Sequence, residues 1–168
     1  MATLDKLSTI TRILVPLGRR EVPLGRREFD EREFHAMPSF VRFLGEILPG
    51  STTGVLGAAE SPSAQMDTLL RKWNSGKPMA YSRAFSTLRP TRHGVWEMKT
   101  ADLRIFGWLY RPKVFIATFA GFADDYKSQN GHPPKDSYDD ARDRVVWIRD
   151  RIGLDPPPYV TGDYDDLV

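Results

Sequence analysis

The chain has 168 residues, 40% of them hydrophobic and 27% charged, with a formal net charge of +2, a composition that suits one globular domain with a real core and an added N-terminal arm. It has no cysteine, which excludes a disulfide framework or a thiolate metal site and fits a reducing compartment. No apolar run approaches the roughly 18 residues that cross a bilayer and no secretion signal is recognisable, so a cytoplasmic location without membrane attachment is expected.

The small net charge conceals an asymmetry. Residues 51–123 carry ten Lys/Arg against four Asp/Glu, whereas residues 124–168 carry six against eleven. A basic middle and an acidic end imply a polyanionic partner, an internal electrostatic contact, or an unevenly charged solvated surface.

In chain order, residues 1–34 read as an arm. Ile10, Ile13, Leu14 and Val15 suit a strand or the end of a short helix. A tandem VPLGRRE follows at 15–21 and 22–28. Its fixed Pro and Gly positions exclude a helix interior, so extended segments or successive turns are expected. The Arg19-Arg20 and Arg26-Arg27 pairs either meet anions or are solvated. Two copies are too few for a solenoid.

The spacing of Phe40, Phe43, Leu44, Ile47 and Leu48 after Pro38 predicts a helix over 38–48, ended by Pro49-Gly50. A small-residue loop leads to a second helix, from Ser61-Pro62 to Asn74, with Met66, Leu69, Leu70 and Trp73 as its buried stripe and Gly76 past its end. Residues 77–93 interleave Lys77, Arg83, Arg89, Arg92 and His93 with Tyr81 and Phe85. Such a pattern either holds a nucleic-acid backbone and stacks on bases or turns its rings into the core.

Gly94 to Lys127 reads as a meander of three strands, 94–99, 102–110 and 114–122, with turns at Thr100-Ala101 and Arg111-Pro112. Alternation puts Val95, Glu97 and Lys99 on one face of the first strand and Trp96 and Met98 on the other. In the second strand it sets Leu103, Ile105, Gly107 and Leu109 against Arg104, Phe106, Trp108 and Tyr110. The third is nearly all apolar, as a strand covered on both faces would be. Arg104, mid-strand among rings, is either paired with Glu97 or exposed at a working surface. A last helix is expected from Asp136 or Ser137 to Ile152, with Ser137 and Asp140 forming a capping box and Ala141, Val145, Ile148 and Ile152 facing inward. Its early aspartates suit the helix dipole, and no metal site is assigned to them. The tail, 154–168, reads as a proline step followed by an acidic end, poorly ordered alone. Alternatively, Asp163, Asp165 and Asp166 fold back onto the basic 77–113 surface and mask it.

Helix, helix, meander with a mid-strand arginine, glycine-aromatic corner and helix together resemble the RelE/HigB toxins of type II toxin–antitoxin systems, in their phage-derived branch. The residues carrying the resemblance are Gly94-Val95-Trp96-Glu97-Met98, Leu103-Arg104-Ile105-Phe106, Phe115-Ile116-Ala117, Gly121-Phe122, and Ala141 with Arg142 and Arg144. The match spans roughly residues 38–152. It implies an α+β, RelE/ParE-like domain over 35–153: two N-terminal helices, an antiparallel three- to four-stranded sheet and a C-terminal helix. It further implies a ribosome-dependent mRNA endonuclease that inhibits translation, without metal or other cofactor. The implied partners are a cognate antitoxin, the ribosome and mRNA, in a homo-oligomer or a complex with the antitoxin.

In that chemistry a 2′-hydroxyl attacks the adjacent phosphate, so the site must take a proton, hold developing negative charge and protonate the leaving oxygen. The resemblance assigns Arg104 to the phosphate, because a guanidinium binds phosphate oxygens bidentately. Lys127 falls near the basic position after the Gly-Phe corner, and Tyr126 or His132 would serve as acid or base. Arg83, Arg89, Arg92 and Lys99 are candidate RNA or phosphate contacts by location. The family's basic pair after the corner is replaced here by Asp124-Asp125. Either Lys127 substitutes from one turn on, or the chain keeps the fold as a non-catalytic, phage-associated binding or structural protein. A ParE-like gyrase inhibitor is a third expectation.

Overall fold

The alternation over 95–122 becomes the centre of a sheet. Three antiparallel strands, β3 (Val95–Lys99), β4 (Leu103–Arg111) and β5 (Val114–Phe122), pair in sequence. The short β2 (Phe85–Thr87) adds antiparallel to β3, and β1 (Glu33–Ala36) adds parallel to β5. The computed structural model describes residues 32–168 apart from 56 and 129–131; the VPLGRRE repeats lie outside the described residues.

The chain is α+β, but the sheet is larger than expected and mixed: five strands in the order β1-β5-β4-β3-β2. The antiparallel three- to four-stranded expectation is corrected by β1. Its four residues find a partner some 80 positions away, with Phe34 opposite Phe115 and Ala36 opposite Ala117. This edge makes β5 an interior strand, which explains its nearly continuous apolar sequence.

Helices cover both faces. Pro38 opens α1 (Pro38–Arg42), which loosens into a π turn over Phe43–Ile47 and a 3-10 turn over Leu48–Gly50. The expected 38–48 helix is thus one segment in three geometries. Ser61 caps α2 (Pro62–Asn74), its side chain accepting from Ala64 N. α1 and α2 bury Phe40, Phe43, Met66, Leu69 and Trp73 against Trp96, Met98, Ile105, Leu109 and Phe115. The opposite face packs α3 (Tyr138–Arg151), through Ala141 and Val145, onto Val95, Phe106, Trp108, Ile116 and Phe119. Ser137 caps α3 as expected, accepting from Asp140 N at 3.0 Å.

The tail departs from its expectation. Tyr164–Leu167 forms the short helix α4, and Leu167 is buried in the first core. Tyr164 donates its hydroxyl to Met79 O, Tyr159 to Arg92 O, and Val160 N to Leu109 O. Rings and backbone bonds order this segment, so its acidic composition misleads. The tail does reach the 77–113 surface, but among the described residues none of Asp163, Asp165 and Asp166 forms an ion pair there. No helix among the described residues is long and apolar enough to cross a membrane.

Candidate functional site

Polar side chains converge where β3 and β4 meet the start of α3. The register sets Lys99 opposite Arg104 and Glu97 opposite Phe106, so Glu97, Lys99 and Arg104 rise from one face. Two cations side by side would repel; the Glu97 carboxyl, diagonal to Arg104, lies within ion-pair distance of both. Its Oε1 lies 3.3 Å from Arg104 Nε and its Oε2 3.6 Å from Lys99 Nζ. Ser86, opposite Glu97 on β2, reaches Oε2 at 3.5 Å.

Arg104 is 8% exposed and largely engaged. Nη1 donates to Thr100 O and Leu103 O, each at 2.8 Å, and Nε donates to Tyr138 Oη at 3.2 Å. The Nε contact with Glu97 is therefore an ion pair whose angle falls outside hydrogen-bond geometry, and Oε1 accepts no hydrogen bond. Of the two readings of this arginine, the pairing with Glu97 is the one found. Glu97 is 3% exposed. Burial pushes its pKa above the usual carboxylate range, against the attraction of Lys99, Arg104 and Tyr138.

Two tyrosines close the cluster. Tyr138 is the first residue of α3, and its ring lies 5.2 Å from that of Tyr126 and 6.2 Å from that of Phe106. Desolvation raises the Tyr138 pKa, with Glu97 adding to the rise. Tyr126 ends the 3-10 turn Ala123–Tyr126, buried against Phe106. Its pKa is raised first by burial and then by Asp136 and Asp125. Both phenols therefore stay protonated at neutral pH.

The sequence-derived residues thus divide. Arg104, Lys99 and Tyr126 come together. Lys127 follows Tyr126, half-buried, and its backbone N–H donates to Asp124 O. His132 is exposed in the loop before α3, and Arg83 is exposed in the turn before β2. Arg89 and Arg92 sit at the far end of β3, where Leu88 N bonds Val95 O; that is about 13 Å from Lys99 at strand rise. There Arg89 lines a surface cleft of about 520 Å³ with Pro90, Thr91, Asp139 and Arg142.

Asp124 and Asp125 are diverted into internal contacts. Asp124 Oδ2 accepts from Val55 N at 2.8 Å, and Asp125 Oδ1 lies 3.5 Å from Lys135 Nζ. Asp124 borders a second cleft, of about 620 Å³, formed by the 50–55 loop, Asp102 and Phe122. Glu97, Tyr138 and Ser86 escaped the sequence-level site. The signal for Glu97 was a carboxylate between Val95 and Lys99 on the strand face that meets Phe106 and Trp108 of β4; nothing local marked Tyr138. Among the described residues, no group of three His, Cys, Asp or Glu side chains is placed to hold a metal ion.

No family model, curated protein or solved structure matches the chain.

Proposed function

We propose that this chain is an RNA-directed toxin of the RelE/HigB type, a ribosome-dependent mRNA endonuclease neutralised by an antitoxin, on a RelE-like form of the α+β fold. The observation that carries the reading is the convergence of Lys99 and Arg104 with Glu97 and Tyr138 under the start of α3. Support also comes from the order helix, helix, meander, helix, and from the diversion of Asp124 and Asp125 into contacts with Val55 and Lys135.

The cluster holds each group that the reaction requires. Glu97, made more basic by burial, takes the 2′-hydroxyl proton. Lys99 and Arg104 hold the charge that develops on the phosphate, and the protonated Tyr138 or Tyr126 supplies the leaving oxygen's proton. A phosphate that binds Arg104 Nε would have to displace the Tyr138 hydroxyl from it.

Induced expression in a bacterial host tests the proposal. Wild type is expected to arrest translation, with messenger cleavage visible by primer extension, and Arg104→Ala and Glu97→Gln are expected to restore growth. Undisturbed growth and intact messenger on wild-type induction would sink it.

A second reading, a non-catalytic binding protein on the same fold, draws on one observation. Arg104 has its Nε and Nη1 turned to internal partners and is nearly buried, as a purely structural arginine would be. Wild-type growth arrest without cleavage, unaffected by Arg104→Lys, would favour it.

A further inference from the structure

We propose that the outward face of α3 is a stacking and phosphate-contact surface for single-stranded RNA, centred on Trp147 and flanked by Arg144 and Arg151. The proposal rests on the RNA-directed reading above and adds to it a surface outside the buried cluster.

Charge pairing along α3 singles out these residues. The helix carries four arginines and four aspartates. Arg142 takes Asp139 at 2.6 Å and Asp143 at 2.8 Å, and Arg149 faces Asp150 at 3.6 Å. Asp140 accepts from the Ser137 hydroxyl at the helix cap. Every aspartate is thereby engaged, while Arg144 and Arg151 form no ion pair among the described residues. Both rest on rings instead: the Arg144 guanidinium lies 4.2 Å over Phe119, and that of Arg151 lies 4.0 Å over Trp147.

Trp147 is 57% exposed, whereas Trp73, Trp96 and Trp108 are all but inaccessible. Positions 144, 147 and 151 share one stripe at helical spacing. Arg151 Nη1 donates to Trp147 O at 3.2 Å, which leaves its other N–H groups for phosphate oxygens, and an exposed indole offers a π-face to any base. An apolar partner helix would need a continuous greasy stripe, but Trp147 is the one large apolar side chain among the exposed residues of this face. Two arginines without an ion pair beside an exposed indole, on a helix whose other charges are engaged, therefore favour a flexible polyanion with stackable rings over an apolar helix.

The burial of the other three tryptophans makes Trp147 the acrylamide-accessible fluorophore. The probe is a short fluorescein-labelled oligouridine with 2′-O-methyl riboses, which carries no nucleophile for cleavage. Bound oligonucleotide is expected to shield Trp147 from acrylamide. Trp147→Ala should weaken binding about tenfold, and Arg144→Gln and Arg151→Gln should each flatten the slope of log K against log salt by about 0.7. All three side chains are exposed, so thermal unfolding should be unchanged in the variants. Absence of oligonucleotide binding overturns the proposal, as does binding that leaves Trp147 quenchable and survives Trp147→Ala. Preference for a polyglutamate peptide, lost in the same variants, overturns it in favour of a protein partner. Since the probe cannot be cleaved, shielding of Trp147 without growth arrest would remove the toxin and leave the surface. Growth arrest with Trp147 unshielded would do the reverse.

Discussion

Tyr159 lays its ring against Gly94, in the space that any side chain at position 94 would occupy. Gly94 closes the 3-10 turn Thr91–His93 at φ 60°, a left-handed conformation that costs an L-residue roughly 1–2 kcal/mol. The Arg149 guanidinium stacks on the same ring at 3.7 Å and donates to His93 O at 2.6 Å. Gly94→Ala must therefore bear backbone strain and also expel Tyr159. The expected loss is about 2–4 kcal/mol, read by denaturant unfolding, with new chymotrypsin sensitivity after Tyr159. Because both changes act on one contact, Gly94→Ala and Tyr159→Ala should combine to less than the sum of their separate effects. Simple additivity would show that the ring does not sit there in solution.

The tail should be held by packing and not by its charge. Leu167 is buried in the first core, and Lys113 N donates to Leu167 O at 2.8 Å. Leu167→Ala is expected to cost about 2–4 kcal/mol as a core truncation. The paired change Asp165→Asn with Asp166→Asn should stay within about 0.5 kcal/mol, since both residues are exposed. Urea midpoints of the two variants decide between them. A larger effect from the aspartates would revive electrostatic masking as the reason that the tail folds back.

What the sequence could reveal followed from how local each signal was. The strands 95–99 and 103–111 were legible from alternation and turn residues, 114–122 from a continuous apolar run after Pro112, and α2 and α3 because cap and apolar stripe agree. The strand at 33–36 was not, since its pairing with 114–117 is distant and EFHA has no pattern of its own. Nothing in the sequence around Arg149 signals burial, yet it is buried under Tyr159, with Nε lacking a hydrogen-bond partner. Of the cluster, Arg104, Lys99 and Tyr126 were named from the sequence, and Glu97 only as a partner for Arg104. The neighbours of Arg104 depend on the β3–β4 register and on where α3 begins, which put Glu97 and Tyr138 on it.

A buried exchange of hydrogen bonds anchors the loop over 50–55. Gln65 Nε2 donates to Asp102 Oδ2 at 2.7 Å, Asp102 N donates to Gln65 Oε1 at 3.0 Å, and Gly54 N donates to Asp102 Oδ1 at 3.1 Å. Removing a buried acceptor leaves its donors unsatisfied, at about 1–3 kcal/mol. Asp102→Ala is expected to lose about that much and to raise amide exchange at Gly54 and Val55, with α2 protected as before. Unchanged exchange in the loop would show that the carboxylate does not hold it.

Glu97 gives the cluster a pH signature whose sign is fixed by its raised pKa. Burial holds the folded-state value above 4.5, so the folded chain keeps this proton where the unfolded chain has released it. The stability linked to that proton is fully present below about pH 4.5 and is lost as pH rises through the folded value. Glu97→Gln fixes a neutral side chain and removes the loss. Its stability relative to wild type should therefore climb from pH 4.5 upward and level off once wild-type Glu97 is ionised. Chemical denaturation of both proteins across pH 4 to 8 measures the difference and cancels the titration of the other carboxylates. A relative stability that falls over this range would mean that Lys99 and Arg104 outweigh burial, with the Glu97 pKa depressed.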